Sequence, residues 1–327
     1  MAQILVVMGI IAILAVMVVG VFGRGRTTAR RAQCDVKLKT IALALDYYRQ
    51  EKGRYPATLA ELRAGNYLQE SSALHCTSDP DPNGTYENYY AIRGPRDKGD
   101  LPIVVCPFHE RDSKLGPQAY VGRYTKQFAT VPAHVDLVRD ATVTSPGKSA
   151  ISATVGQELH GGDLITTGAT GSAVIRFTDG STTELKGGSS VTVLQSFMEG
   201  QASAPLYTMV RQSVGDVIYR VHPGSKFDVV TPTATAGALG TVFEIKEFSP
   251  TTGAIICTEG KVRLSTTQSS VIIPNDVWVP LNWTKPAPPI ATPVPTPTAL
   301  PLPTPVPIPT PCVNNGGNGQ GCANGYG

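Results

Sequence analysis

The chain has 327 residues, a formal net charge of +3 at pH 7 and 7% aromatic residues, with 33 glycines and 27 prolines. This length accommodates two modest domains with tails, and the near-neutral charge argues against a nucleic-acid-binding protein. Six cysteines occur without a C-x-x-C motif, which argues against a zinc ribbon or a thioredoxin-like site. The glycine and proline content predicts β-rich structure with many turns and a low-complexity segment.

The N-terminal segment is strongly apolar. Residues Ile4 to Phe22 carry no charged side chain, and Arg24 follows at once. A helix of this length spans a hydrocarbon layer of about 30 Å. We therefore predict a single-pass anchor in the cytoplasmic (inner) membrane, with the C-terminal bulk periplasmic or extracellular. A cleaved secretory signal is the alternative, but the segment lacks a basic n-region and a cleavage site.

The same helix is predicted to continue to about Lys52, where Gly53 ends it. Its second half carries one apolar stripe, because apolar residues recur there at spacings of four and three. We expect this stripe to pack with other helices. Its members are Cys34, Leu38, Ile41, Leu45 and Tyr48.

The rest of the chain divides by composition. Residues 53–132 are turn-rich with short strands, and residues 133–283 show repeated alternation, for example in Ala173–Phe177 and Asp216–Val221. Thr178–Ser181 is a good hairpin turn. Residues 284–311 form a Pro-rich linker that favours polyproline II, and residues 312–327 form a Gly/Asn-rich loop. The predicted fold class is α+β: a long N-terminal helix, transmembrane in its first half, a small α/β head, an all-β domain and a Pro-rich disordered tail.

Two cysteines bracket the head, and three interpretations of them stay open. A disulfide between Cys76 and Cys106 closes a loop of about thirty residues and stabilises by about 3 kcal/mol. A zinc site formed by His75, Cys76, Cys106 and His109 is the second interpretation, because Cys106 and His109 have a suitable ligand spacing. Free thiols are the third. Of the three, we favour the disulfide.

The other cysteines invite simpler interpretations. Cys312 and Cys322 lie close together in the C-terminal loop, and we predict that they pair. Cys34 lies on the apolar stripe and Cys257 within a predicted strand, where a thiol usually acts as a small buried apolar group.

An acidic turn copies the opening of a calcium loop. Asp79, Asp81 and Asn83 occupy its first alternate positions, but Tyr90 stands where a bidentate Glu is needed. We expect a simple acidic turn, with calcium as the alternative and no other cofactor. No G-x-S-x-G, H-E-x-x-H or P-loop motif occurs, so no enzymatic activity is predicted.

The first third of the chain resembles the type IV pilins and type II secretion pseudopilins. The apolar string from Ile4 to Ala15 and the Gly53-Arg54-Tyr55-Pro56 turn carry this resemblance. It implies assembly with other pilin-type subunits or with a secretion machinery. In that family a short leader is removed and a Glu stands where this chain has Gln3, so we expect a leader upstream of Met1.

Residues of the β-rich part resemble the FecR-type domain. The resemblance rests on Gly162-Asp163, on Ile175–Ser181 with the sequence IRFTDGS, on Leu239–Phe243 and on Glu259–Val262. Relatives of this domain are extracytoplasmic and belong to regulators that couple surface signals to sigma factors. The resemblance therefore implies a recognition domain for an unknown ligand or protein.

Together these features predict a membrane-anchored, pilin-like or pseudopilin-like structural protein that displays an extracytoplasmic FecR-like recognition domain. Pilus or type II secretion-type assembly is the setting this implies. Two alternatives remain: a FecR-like membrane signal sensor or transducer, and a surface adhesin that binds the cell wall.

Overall fold

The structure, a computed structural model, describes residues 2–97, 99–110, 115–120, 125–198 and 205–283. Within these ranges the side chains of residues 2–6, 9, 11–24, 115, 125, 127 and 248 are not described. The predicted Pro-rich linker and the predicted pair Cys312 and Cys322 lie outside the described residues.

One long helix, α1 (Ala2–Lys52), opens the chain. The five residues of the predicted stripe are each at most 5% exposed. They pack against the chain's own head, in a cluster with Leu62 and Ile103. The helix ends at Gly53, whose φ of 71° favours glycine and whose N–H donates to the carbonyl oxygen of Arg49 at 2.8 Å.

The predicted membrane anchor is wrong for the part of the chain that the structure describes. None of the helices there is long and apolar enough to cross a membrane. From Gly25 onward α1 carries Arg26, Arg30 and Arg31, and charged side chains are costly within hydrocarbon. The single-pass topology and the membrane localisation inferred from it are therefore not supported. The predicted anchor residues Ile4 and Phe22 lie outside the residues whose side chains are described.

Strands dominate the rest of the described structure. A short helix α2 (Ala60–Ala64) and two 3₁₀ helices (Ser71–Leu74 and Tyr86–Tyr89) follow α1. The head contributes β1 (Pro102–Val105), β2 (Leu115–Tyr120) and β3 (Thr125–Thr130). The strands that follow are β4 (Ala133–Thr144), β5 (Ile151–Ser152), β6 (Glu158–Leu159), β7 (Leu164–Arg176), β8 (Thr182–Leu185), β9 (Ser190–Met198), β10 (Leu206–Arg220), β11 (Lys226–Val230), β12 (Thr235–Leu239), β13 (Val242–Ser249), β14 (Thr252–Glu259), β15 (Val262–Ser265), β16 (Ser270–Ile272) and β17 (Val279–Pro280).

The strand β10 organises the β domain. It pairs antiparallel with β8, β9 and β13, and parallel with β11. From β11 the pairing continues through β12 and β15 to β16, and from β13 through β14 to β17. Buried rings fill the centre: Tyr219 lies 5.0 Å from Phe243 and 5.8 Å from Phe227, measured between ring centroids.

The head is not a separate α/β unit, and the predicted α+β class is wrong. β3 pairs with β9 through Ala129↔Met198 and Thr130↔Phe197, so the β1–β2–β3 ladder of the head continues into the β domain. An open edge of the head ladder leaves backbone donors and acceptors unpaired, and β9 supplies partners for them. The described residues therefore form a mostly β structure, and its pairing crosses the boundary predicted at residue 132.

A shared core accompanies this pairing. Tyr89 and Val105 of the head pack with Phe197, Tyr207 and Met209 of the β domain, and all five are buried. Such contiguous apolar burial supplies most of the favourable free energy of a domain interface. The head and the β domain thus belong to one compact unit, residues 1–285.

Candidate functional site

Four side chains with metal-ligand atoms meet inside the head. Cys34 on α1, Cys76 after the first 3₁₀ helix, Cys106 after β1, and His109 have ligand atoms that all lie within 4.8 Å of one another. The Sγ of Cys76 lies 3.6 Å from the Sγ of Cys106 and 3.4 Å from Nε2 of His109. All four residues are at most 2% exposed. We call them the Cys₃His cluster.

Three of the four members, Cys76, Cys106 and His109, belong to the zinc site predicted from the sequence. His75, the predicted fourth ligand, instead donates from Nδ1 to the carbonyl oxygen of Gly84 at 2.7 Å. Cys34 takes its place, although its position on the apolar stripe pointed to packing alone. Cys76 and Cys106 are free thiols, and their separation exceeds the S–S length of about 2.05 Å. The predicted disulfide is therefore not formed in this structure.

The three thiols influence one another strongly. Hydrogen bonds with Cys106 and Cys34 lower the pKa of the Cys76 thiol. Burial, together with hydrogen bonds to its two neighbours, raises the pKa of the Cys106 thiol. For Cys34 the hydrogen bond with Cys106 lowers the pKa, but the hydrogen bond with Cys76 and burial outweigh it. The three thiols therefore titrate as one coupled group rather than independently.

The acidic turn folds back on itself. Oδ1 of Asp79 accepts from the N–H of Asp81 at 2.9 Å, and Oδ1 of Asp81 accepts from the N–H of Asn83 at 2.9 Å. These are local Asx-type bonds, which shape a loop without any ion. Burial raises the pKa of Asp79. The simple acidic turn stays a prediction, with calcium at Asp79, Asp81 and Asn83 as its alternative.

A buried ion pair joins the head to the β domain. Nη2 of Arg93 lies 2.6 Å from Oδ2 of Asp228 on β11, with side chains 1% and 5% exposed. The hydroxyl of Tyr207 donates to the same carboxylate oxygen at 2.5 Å. Burial lowers the pKa of the Arg93 guanidinium, but the charge of Asp228 raises it overall, so the guanidinium stays charged in the core. Sequence spacing gave no sign of this pair, because 135 positions separate its members.

A cleft of about 280 Å³ opens beside this ion pair. Strands β11, β12 and β15 of the β domain form its walls, and the head contributes Asp100 and Leu101. Its basic lining residues are Lys226, Lys261 and Arg263. We call it the basic cleft.

The basic cleft combines positive charge with an apolar rim. Asp228 is paired with Arg93, and Arg263 lies 3.7 Å from Oδ1 of Asp97. Beyond these pairs, Lys226 and Lys261 stand against Asp100, so the cleft keeps a small excess of positive charge. Leu239 and Ile272 also line the cleft and are 60% and 54% exposed. Exposed apolar side chains beside polar groups are typical of surfaces that bind another protein. The cleft therefore offers attraction for a carboxylate next to a contact for an apolar side chain.

Comparison with known families supports part of the sequence analysis. Residues 163–263 match the family model described as FecR protein, which confirms a FecR domain in this range. The range includes β7 to β14 and eight residues that line the basic cleft, among them Lys226, Lys261 and Arg263. The comparisons give no support for the pilin or pseudopilin resemblance of the N-terminal part. No curated protein gives a significant match to the chain.

Solved structures give a weaker likeness. Two crystal structures of a proposed anti-sigma factor from Parabacteroides distasonis ATCC 8503 align with the chain at 18% identity and a TM-score of 0.30. Each alignment covers 36% of this chain and 53% of the other, so the chain spans about half the length of the structures it matches. A likeness at this level carries no argument about function.

Proposed function

We propose that this protein is a signal sensor, in which the FecR domain receives a signal by binding a partner protein at the basic cleft. The observation that carries the proposal is the FecR match at residues 163–263, which includes all three basic residues that line the cleft. In the FecR family, domains of this type belong to signalling regulators.

The chemistry of the cleft favours an acidic segment of a partner protein. Lys261 is exposed at its mouth, and Lys226 lies deeper, with its Nζ 5.7 Å from the ring centroid of Tyr207. A volume of about 280 Å³ is slightly below the range of about 300–1,000 Å³ that is usual for small-molecule sites. It suits one or two inserted side chains better than a whole metabolite. Leu239 and Ile272 then provide the neighbouring apolar contact.

A larger cleft elsewhere fits this role less well. It measures about 960 Å³ and lies between α1 and residues 66–77. Among its described lining residues the charged groups are Lys37 and Glu70, which carry opposite charges. It lies outside the matched range, and its charges do not favour a ligand of either sign.

The position of Asp228 gives the signal a route into the head. Its carboxylate lines the basic cleft and also holds Arg93 of the head at 2.6 Å. An acidic group that enters the cleft competes with Asp228 for nearby positive charge. Because buried charged networks respond strongly to such changes, we expect binding to alter the packing of the head on the β domain.

The experiment uses two exposed positions of the cleft. In the organism that carries the gene, the chromosomal copy is deleted and the strain is complemented with the wild type, with Lys261→Glu/Leu239→Asp, or with the control Lys148→Glu/Ile151→Asp. The control makes the same changes at residues that are also exposed but lie away from the basic cleft. Transcripts are then compared by RNA sequencing at equal protein levels.

We expect deletion to change a defined set of transcripts, and the wild type and the control to restore it. The cleft variant should fail to restore that set while its circular dichroism spectrum matches the wild type. Unchanged transcripts after deletion contradict the sensor function. Full restoration by the cleft variant contradicts the assignment of the basic cleft as the receiving surface.

A further inference from the structure

The spacing of the Cys₃His cluster matches a tetrahedral metal site. With Zn–S bonds of about 2.3 Å and a Zn–N bond of about 2.0–2.1 Å, the edges of a tetrahedron are about 3.8 Å between two sulfurs and about 3.6 Å between sulfur and nitrogen. The corresponding distances are 3.6 Å from Cys76 Sγ to Cys106 Sγ and 3.4 Å from Cys76 Sγ to His109 Nε2. Cys34 completes the set within the same 4.8 Å limit.

Apolar packing or a disulfide explains less of this arrangement than a metal site does. Small apolar packing explains a buried thiol but not an imidazole nitrogen directed at one. A disulfide between any two of the three cysteines leaves the third thiol and His109 enclosed beside it. The four residues come from three separate segments, namely α1, the loop after Leu74 and the loop after β1. The fold brings all four ligand atoms together, within 4.8 Å of one another.

Surrounding groups hold the sulfurs in place. The backbone N–H of Ser78 donates to Sγ of Cys76 at 3.4 Å. The hydroxyl of Tyr86, a residue 1% exposed, lies 2.9 Å from Sγ of Cys34. Hydrogen bonds of this kind orient the ligands of metal sites and tune their basicity.

We propose that Cys34, Cys76, Cys106 and His109 bind one Zn²⁺ ion as a closed structural site. Thiolate and imidazole ligands in tetrahedral arrangement select zinc among the common divalent metals. The cysteines bind as thiolates, so each thiol that still carries a proton releases it to solvent on binding. All four positions are filled by the protein, which leaves none for a substrate.

The ion would connect α1 to the head and fix the loop that reaches the β domain. Glu110 follows His109 directly, and its Oε2 accepts from the N–H of Gly161 at 3.1 Å. Its Oε1 lies 3.7 Å from Nδ1 of His160. The zinc site therefore stabilises one end of the interface between head and β domain. This inference is independent of the proposed sensor function.

The test uses the purified full chain, reconstituted with ZnCl₂ under reducing conditions and then freed of loose metal. We expect elemental analysis to find about one zinc per chain, as for a four-ligand structural site. Replacement by Co²⁺ should give the intense near-ultraviolet charge-transfer band of thiolate ligands and the visible bands of tetrahedral cobalt. Removal of zinc with a strong chelator should lower the thermal midpoint.

Two cysteine variants distinguish zinc binding at the Cys₃His cluster from nonspecific binding to thiols. Cys106→Ser should reduce zinc content at least severalfold, whereas Cys257→Ser, the control at a buried cysteine of the β domain, should retain it. Since Cys106→Ser risks misfolding, the cobalt spectrum of the wild type provides a second, independent reading. The proposal is overturned if the reconstituted wild type holds no stoichiometric zinc, if iron or copper binds in its place, or if mass spectrometry of the protein from cells finds a Cys76–Cys106 disulfide.

Discussion

A buried carboxylate on β13 should make the protein less stable as the pH rises. Glu247 is 2% exposed, and neither of its side-chain oxygens has a hydrogen-bond partner among the described residues. It stands between Gly215 on β10 and Gly253 on β14, and the phenol of Tyr219 is the titratable group that senses its charge. Burial raises the pKa of Glu247 from 4.5 to about 8.

The sign and size of the effect follow from proton linkage. The folded state binds the Glu247 proton more tightly than the unfolded state does. The contribution of this proton to the free energy of unfolding is therefore complete below pH 4.5 and is lost as the pH rises towards 8. Each tenfold change in proton affinity corresponds to about 1.4 kcal/mol. Glu247→Gln, which stays neutral, should therefore match the wild type at low pH and exceed its free energy of unfolding by about 3 kcal/mol at pH 7 and about 4 kcal/mol at pH 8.

The assay is urea unfolding of the full chain from pH 4.5 to 8, followed by the fluorescence of Trp278 and Trp283. The control is Glu244→Gln on the same strand. Burial acts to raise the pKa of Glu244, but hydrogen bonds with Asp216 and Lys186 lower it overall. Ionised Glu244 therefore stabilises the folded state above its ordinary pKa, and this stabilisation is lost on acidification. Glu244→Gln should accordingly have a lower free energy of unfolding than the wild type at neutral pH. A constant difference between wild type and Glu247→Gln across the pH range refutes the reasoning.

Three further substitutions test the interface and the sheet, each by the same urea assay at constant pH. Asp228→Asn should cost about 3–5 kcal/mol, because it leaves the Arg93 guanidinium buried without its charge partner. The control Asp136→Asn removes the partner of Arg176, a pair whose side chains are 35% and 51% exposed, and should change the unfolding midpoint very little. Equal losses in the two variants contradict the argument. Phe197→Ala should cost about 3–5 kcal/mol, since the ring is fully buried and stacks on a neighbouring aromatic ring at 5.1 Å between centroids. Gly215→Ala should cost at least about 1 kcal/mol, because Gly215 has φ of 98° and an added Cβ would lie 2.4 Å from the Cα of Ser189, just before β9. If Phe197→Ala or Gly215→Ala leaves the free energy of unfolding unchanged, the packing described at that position is excluded.

Local patterns predicted the β domain well where one face of a strand is exposed. The turn at Thr178–Ser181 lies where expected, between the end of β7 and the start of β8, and Gly180 has the positive φ that the turn requires. Alternation of apolar and polar residues also predicts the last part of β10, from Asp216 onward. The first half of that strand was missed, because Leu206–Val210 is buried at every position and so shows no alternation.

Contacts between distant segments escaped the sequence analysis. Cys34 was assigned to a packing stripe, and nothing in its neighbourhood in the sequence relates it to Cys76 or Cys106. The zinc interpretation needs His75 and its neighbour Cys76 to bend together, yet two consecutive residues in extended chain rarely direct both side chains at one point. The backbone of Ser72–Cys76 sends the His75 imidazole to Gly84 instead. The sequence likewise does not predict that Glu247 is buried without a hydrogen-bond partner, since its strand shows ordinary alternation of apolar and polar residues.

The two proposed sites act on the same interface from different sides. The Cys₃His cluster holds the loop whose Glu110 reaches Gly161, and the basic cleft adjoins the Arg93–Asp228 pair. Both contacts join the head to the β domain, and between them lies the shared apolar core that includes Phe197. Because packed side chains connect the two contacts, we expect a change at one of them to be felt at the other. It follows that zinc removal should alter the affinity of the basic cleft for its partner, and that partner binding should alter zinc affinity by the same factor.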